Sequence, residues 1–440
     1  MRATRRRVCL LPGVMVLAAA VACGGGSSSS SGSGGSGSSS SGSGSSSGSG
    51  SGSSSSSGGT TPSANAVPIL VGPGPSTANP YTNGAYVTVT VCVPGSGSQC
   101  VTIPDVLLDT GSTGLRVLAS TVASLSLSTV PSGSGTLTDC TQYVDLSYNW
   151  GPVALADVTM AGETASAVPI QIIADSTTGV PAAPSSCSNG GTLANTVDSL
   201  GARGILGLSF FMQDCGSACA PGTRSNPGLY YSCTSSTCQV ATASLSSQLQ
   251  NPVGLFAADN NGLAITLPTL GANGAPSASG TLTFGIGTQS NNALGSAVVQ
   301  TTDGHGNVTT TFQGATYASS FIDSGSNANY FLDSKTTGLP ACKQSKGFYC
   351  PTTLQNLTAT NTGANGKAIT VNFRVTNADQ LPAPNWAFDD IAGSSSSGSA
   401  GSGLPSLYFD WGLPFFFGRT VFIALEGRGA PGATGPFWAY

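Results

Sequence analysis

The sequence predicts a mainly β body with room for two domains. From Asn65 onward the chain is built of short runs rich in Val, Thr, Ile and Leu, interrupted by Gly, Pro, Asn and Ser. Such runs suit half-buried strands joined by turns. The stretch AYVTVTVCV (Ala85 to Val93) alternates with a period of two, while apolar repeats of helical period are scarce. With 440 residues, 39% of them apolar, the chain has material for more than one core.

Residues 1–23 precede that body. They begin MRATRRR, continue through an apolar segment from Val8 to Ala22 and end at Cys23, the pattern of an export signal rather than of a stable membrane span. Ala20-Val21-Ala22-Cys23 resembles a bacterial lipobox, which implies that Cys23 is acylated and serves as a lipid anchor. Ordinary signal cleavage near Ala22 is the alternative, and Arg5-Arg6-Arg7 also permits a twin-arginine signal. Gly24 to Gly59 is Gly and Ser throughout, a coil with a reach of roughly 30 Å. Residues 24–64 therefore read as a flexible tether in the cell envelope. No later apolar run has the length of a membrane-crossing helix, so membrane contact is expected through the anchor alone.

Within the body, VTIPDVLLD (Val101 to Asp109), GLAITLP (Gly262 to Pro268), GTLTFGIG (Gly280 to Gly287) and AITVNFRV (Ala368 to Val375) are further strand candidates. The best helix candidate is Thr242 to Gln250, where Leu245 and Leu249 are spaced i, i+4 and Asn251-Pro252 ends the segment. Gly393 to Gly403 is low-complexity sequence and reads as an exposed loop; the Cys-bearing segment from Phe211 to Cys238 reads as a stapled surface excursion. Setting aside Cys9 and Cys23 leaves ten of the 12 cysteines, an even number that in an exported chain reads as disulfides. Cys92 and Cys100 flank a short turn, as do Cys342 and Cys350; the partners of Cys140, Cys187, Cys215, Cys219, Cys233 and Cys238 stay open. One His and no paired CxxC argue against a metal site. With 7% charged residues and a net charge of −4 there is no basic face for nucleic acid.

The chemistry lies in two short motifs. Leu107-Leu108-Asp109-Thr110-Gly111-Ser112 and Phe321-Ile322-Asp323-Ser324-Gly325-Ser326 share one form: two apolar residues, Asp, a hydroxyl residue, Gly and Ser. Either copy alone reads as a turn after a strand. Two copies point to a matched pair of carboxylates, each carried at the tip of a tight turn whose Gly leaves it uncovered. Thr110, Ser112, Ser324 and Ser326 supply hydroxyls that can fix their orientation. If the tips meet at about 4 Å in an effective dielectric near 20, repulsion of roughly 4 kcal/mol, about three pKa units, prevents both from ionising. One proton is then shared, which is the established behaviour of aspartic-protease dyads. A water between the pair can lose a proton to the charged carboxylate while the protonated partner polarises an amide carbonyl.

These motifs resemble those of the two-lobed, pepsin-like aspartic peptidases, and the resemblance runs from about Ala85 to the C-terminus. GILGLS (Gly204 to Ser209) is similar to the apolar-apolar-Gly element that threads behind the first Asp loop in that family, and PFFFGRTVF (Pro414 to Phe422) resembles the second. The helix candidate resembles the family's interlobe helix, and GTLTFG (Gly280 to Gly285) the strand opening the second lobe. The resemblance implies an all-β, bilobal pepsin-like acid protease fold, with an N-terminal lobe over 65–268, a C-terminal lobe over 269–440 and a cleft between them. It implies Asp109 and Asp323 as catalytic residues, with Thr110, Gly111, Ser112, Ser324, Gly325 and Ser326 supporting the dyad. Tyr148, in the hairpin-like run Val144 to Gly162, is the implied flap residue, with Trp150 as an alternative. The implied protein is a monomeric endopeptidase acting on peptide or protein substrates without cofactor or metal. The chain departs from the family where Leu115-Arg116-Val117 replaces Leu-Trp-Val and where Gly418-Arg419 stands for Gly-Asp.

His305, flanked by glycines, is the only imidazole and reads as an exposed turn residue, which argues against Ser-His or Cys-His hydrolysis. The rival from another class is a catalytically inactive binding protein of the same fold that holds a peptide or glycan in the cleft. Its mark would be loss of an Asp or of the Gly two positions on; both motifs keep both.

Overall fold

The computed structural model describes residues 64–395 and 408–440. The signal, Cys23, nearly all of the tether and most of the Gly393 to Gly403 segment lie outside the described residues.

Strands dominate, in a 17-stranded, a seven-stranded and a two-stranded sheet, and each described α-helix is a single turn of four residues. The two larger sheets make the bilobal pepsin-like fold that the motifs imply. The lobes share their base: Ala66–Gly72 runs antiparallel to Ala278–Phe284, which pairs with Gly262–Leu267, which pairs in turn with Arg419–Ala424. The strand expectations hold at Gly84–Cys92, Cys100–Asp109, Gly262–Leu267, Ala278–Phe284 and Ala368–Val375.

The helix expected over Thr242 to Gln250 is absent. Only one turn forms, with the Ser247 and Gln248 amides donating to the Ser244 carbonyl. Ser244, Ser246 and Ser247 hydrogen-bond among their own hydroxyls, a local alternative that weakens helices. Tertiary pairing completes the override: the Leu249 amide donates to the Tyr230 hydroxyl and the Leu249 carbonyl accepts from Asp214, so Leu249 is buried while Leu245 is exposed.

Five disulfides form. Cys92–Cys100 and Cys342–Cys350 close the loops that their spacing suggests, and the open pairings resolve as Cys140–Cys187, Cys215–Cys219 and Cys233–Cys238. Such a set belongs to an exported protein. The Phe211 to Cys238 segment is less superficial than its composition suggests, because Tyr230–Cys233 adds a strand beside Gly135–Gln142 and buries Tyr230 and Tyr231. Among the described residues no helix is long and apolar enough to cross a membrane.

Candidate active site

Asp109 ends its strand and Asp323 directly follows its own, and the arrangement around them repeats. In the first lobe Cys100–Asp109 lies parallel to Gly204–Leu208, with Asp109 opposite Gly207, and Thr113–Leu118 returns antiparallel to that same strand. A Cβ on Gly207 would lie 2.6 Å from Ser112 Oγ and 2.7 Å from the Thr113 nitrogen, so only glycine lets the strand pass behind the Asp loop. In the second lobe Ala315–Ile322, the strand before Asp323, lies parallel to Phe409–Trp411. Gly412 follows, and a Cβ there would lie 2.1 Å from the Ala328 carbonyl oxygen.

This corrects the placement of the second Gly element at Pro414 to Phe422. That stretch begins in the single turn Leu413–Phe415 and continues into the base strand Arg419–Ala424. The segment behind the second Asp loop is Phe409-Asp410-Trp411-Gly412. Asp410 interrupts the apolar signature that would have identified it, and the residue after the structural Gly is Leu413 rather than Asp.

The loops are tied by reciprocal hydrogen bonds. Thr110 Oγ1 donates to the Ile322 carbonyl (3.2 Å) and accepts from the Ser324 amide (2.9 Å). Ser324 Oγ donates to the Leu108 carbonyl (2.8 Å) and accepts from the Thr110 amide (3.2 Å). This cross brings the carboxylates together: the Gly111 amide reaches Asp109 Oδ1 at 2.7 Å and Asp323 Oδ1 at 3.0 Å, and the Gly325 amide reaches Asp323 Oδ1 at 2.8 Å. A Cβ on Gly111 would sit 2.8 Å from Asp323 Cγ, and one on Gly325 would sit 2.8 Å from Asp109 Oδ1. Both glycines therefore leave room for the opposite carboxylate. Ser326 Oγ contacts Asp323 Oδ2 at 3.0 Å.

Both carboxyls are fully buried. Burial pushes the Asp109 carboxyl above the ordinary Asp range, opposed by the neighbouring Ser112 hydroxyl, by Asp323, by the Gly111 amide and by the charge of Arg116. Asp323 is driven well above that range by burial first, then by the charges of Asp109 and Asp410. Two carboxyls this close in a dry site do not ionise together, so a proton is shared between them.

Arg116 stands where the family resemblance expects Trp, and it is fully buried. Its Nε donates to Thr141 Oγ1 (2.9 Å) and Nη1 to the Thr113 carbonyl (2.9 Å), with Asp139 at 3.8 Å and Asp214 at 3.6 Å. A cavity of about 50 Å³ borders Arg116, Thr141, Gln142 and Asp214. Sequence reading noted the replacement but missed its partners, which lie 23 and 98 residues away.

The hairpin of Gly135–Gln142 and Ser147–Met160 carries the tip Tyr143 to Leu146. Tyr148 does not lie at that tip. It packs in the lobe interior with Cys140, Trp150, Cys187 and Tyr231, and Trp150 donates to the Pro181 carbonyl at 2.9 Å. The tyrosine close enough to feel the charges of Asp109 and Arg116 is Tyr143, whose hydroxyl donates to Asn149 Oδ1. Val144 packs on Tyr408 and Phe321 of the other lobe, which closes the hairpin over the dyad. His305 is exposed, its amide donating to Asp303.

No curated protein matches this chain. Among solved structures, it is similar to the aspartic proteinase from Irpex lacteus, with a TM-score of 0.50 and 17% identity over 85% of this chain and 96% of that one. Likeness at this identity concerns the fold. Residues 61–440 match the model of the family described as "Protein of unknown function (DUF3443)", and the chain belongs to that family.

Proposed function

We propose that this protein is an aspartic-type endopeptidase that hydrolyses peptide bonds with a water activated between Asp109 and Asp323. The observation that carries the reading is the Gly111 amide, shared by both carboxylates and held there by the Thr110–Ser324 cross. In the proposed reaction the water oxygen bonds to the amide carbon and its proton passes to the charged carboxylate. The protonated partner donates to the carbonyl oxygen; the C–N bond then breaks as the first carboxyl passes its proton to the leaving nitrogen and a hydroxyl proton of the intermediate returns to the partner. Thr110, Gly111, Ser112, Ser324, Gly325 and Ser326 hold the pair, and no metal or covalent intermediate enters. Tyr143 takes the flap role in place of Tyr148. Lobes over 65–268 and 269–440, a monomeric state, and attachment through acylated Cys23 and the Gly/Ser tether in a bacterial cell envelope complete the reading.

The second reading, an inactive binding protein, draws on the burial of both carboxyls and on the packing of Val144 against Tyr408 and Phe321. A peptide library incubated from acid to neutral pH, with and without a statine-type inhibitor, separates the two. Inhibitor-sensitive cleavage in acid supports the peptidase; no turnover at any pH supports the binding protein. Radioactive fatty-acid labelling tests the anchor, and absence of label on the Cys23-containing chain rejects it.

A further inference from the structure

Ser326 does something that its counterpart Ser112 does not. Its hydroxyl lies 3.0 Å from Asp323 Oδ2 and also 2.6 Å from Asp410 Oδ2. A serine hydroxyl has one proton and donates it once. The second contact is attractive only if that carboxyl is itself protonated and donates to Oγ; with both carboxyls ionised, one contact sets lone pair against lone pair. The arm Asp410, Ser326, Asp323 therefore carries one proton beyond the hydroxyl's own.

The surroundings of Asp410 agree. It lies opposite Phe321 on one neighbouring strand and Tyr330 on the other, is 3% exposed, and its Oδ1 receives no hydrogen bond. The ionisable groups that act on it or feel it are Asp323, Asp109 and the Tyr408 phenol. No Lys or Arg among the described residues forms an ion pair with it. Burial raises its carboxyl well above the ordinary range, opposed by Ser326. The matching position of the first lobe, facing Leu107 as Asp410 faces Phe321, is the apolar Ile205.

We propose that Asp410 is a positioning residue for the dyad: through the Ser326 hydroxyl it keeps the mobile proton on the Asp323 side, leaving Asp109 as the charged base. This rests on the peptidase reading above. It divides the labour between the carboxylates. A water proton passes to Asp109 as the water oxygen bonds to the amide carbon, and the Asp323 proton passes to the carbonyl oxygen. That proton is the arm's single extra one, shared between Asp323 and Asp410 through the Ser326 hydroxyl; as the C–N bond breaks, Asp109 passes its proton to the leaving nitrogen and the tetrahedral intermediate returns a hydroxyl proton to Asp323, which restores the arm.

The test is Asp410→Asn, whose amide can still donate to Ser326 but cannot release a proton, with Asp410→Leu as the second variant. In the wild type, loss of the arm's proton places two negative charges beside one hydroxyl; in the variants it leaves one. The alkaline limb of kcat/KM therefore moves to lower pH by about one unit or more in both. The infrared band of protonated carboxyls in Asp410→Asn is correspondingly smaller at neutral pH than in the wild type. An unmoved limb together with an unchanged band overturns the proposal, as does an equal loss of rate at every pH. If the wild type cleaves nothing, the peptidase reading fails by itself, and the infrared comparison alone decides whether Asp410 holds the proton. Should Asp410→Asn not fold, the same two measurements on Asp410→Leu decide.

Discussion

The two Asp loops share a backbone and differ in the charge behind it. Thr110 matches Ser324, Gly111 matches Gly325, and Gly207 matches Gly412 in the strand that passes behind. On the first side the buried residue next to that strand is a cation, Arg116, opposite Ile205. On the second side Tyr330 takes the place of Arg116 and Asp410 that of Ile205. Geometry is thus symmetric while electrostatics is not: Arg116 favours the ionised form of Asp109, and Asp410 disfavours that of Asp323. The supporting cores differ as well. Leu108, Leu115, Val117 and Leu206 surround the first loop; Phe331, Phe409 and Trp411 stack behind the second, with Phe331 and Phe409 centroids 5.1 Å apart.

The largest expected effect tests what the halves share. Asp109→Asn and Asp323→Asn should each lower peptide cleavage by at least about 10³-fold with unchanged circular dichroism. Full activity in either variant breaks the pairing. Next comes what they do not share. Arg116→Met leaves Asp139 and Asp214 without their cation in a dry interior, so chemical denaturation should show a loss of about 3–5 kcal/mol. Asp410→Leu, which removes a carboxyl that has no cation, should leave stability unchanged or raise it. Equal destabilisation by the two would erase the asymmetry.

Smaller effects follow from the cross between the loops. Thr110→Ala and Ser324→Ala each delete one donor and one acceptor in a buried site, so each should destabilise by about 1–3 kcal/mol and slow cleavage less completely than loss of an Asp. Effects that differ widely between the two would show that the grip is lopsided. The gentlest test is pH. Asp109, Asp323 and Asp410 are all raised by burial, and Asp390 is pushed up to about 6. A raised carboxyl binds its proton more tightly folded than unfolded, so its contribution is fully present below about pH 4 and is lost as pH rises towards the folded value. Melting temperature should therefore fall between about pH 4 and 7, and Asp323→Asn should flatten that fall. A melting temperature that climbs over this range would contradict the dry dyad.

Much of this was legible in the chain. Both Asp motifs announce themselves because each keeps six chemically constrained positions in a row, and Gly204 to Ser209 carries its Gly207 within a clean apolar run. The second such strand stayed hidden because Asp410 breaks the run, and the more apolar Pro414 to Phe422 drew the assignment downstream, from Gly412 to Gly418. The sequence offers Tyr148, with Trp150 as the alternative, and passes over Tyr143, because alternation within a hairpin does not say which residues form its tip. The partners of Arg116 could not be read at all, since Asp139 and Asp214 meet it only after three separate segments have folded together. In the same way the low charge content identified few ion pairs but could not show that two of the four described ones are formed by a single buried guanidinium.

The base sheet has a consequence for how this chain could ever be divided. Because Ala66–Gly72 completes a surface supplied by Ala278–Phe284, and Gly262–Leu267 lies between that strand and Arg419–Ala424, neither half owns a finished floor. A gene fragment ending near residue 268 would leave bare strand edges inviting aggregation, and two separately made halves would reconstitute only by knitting those edges together.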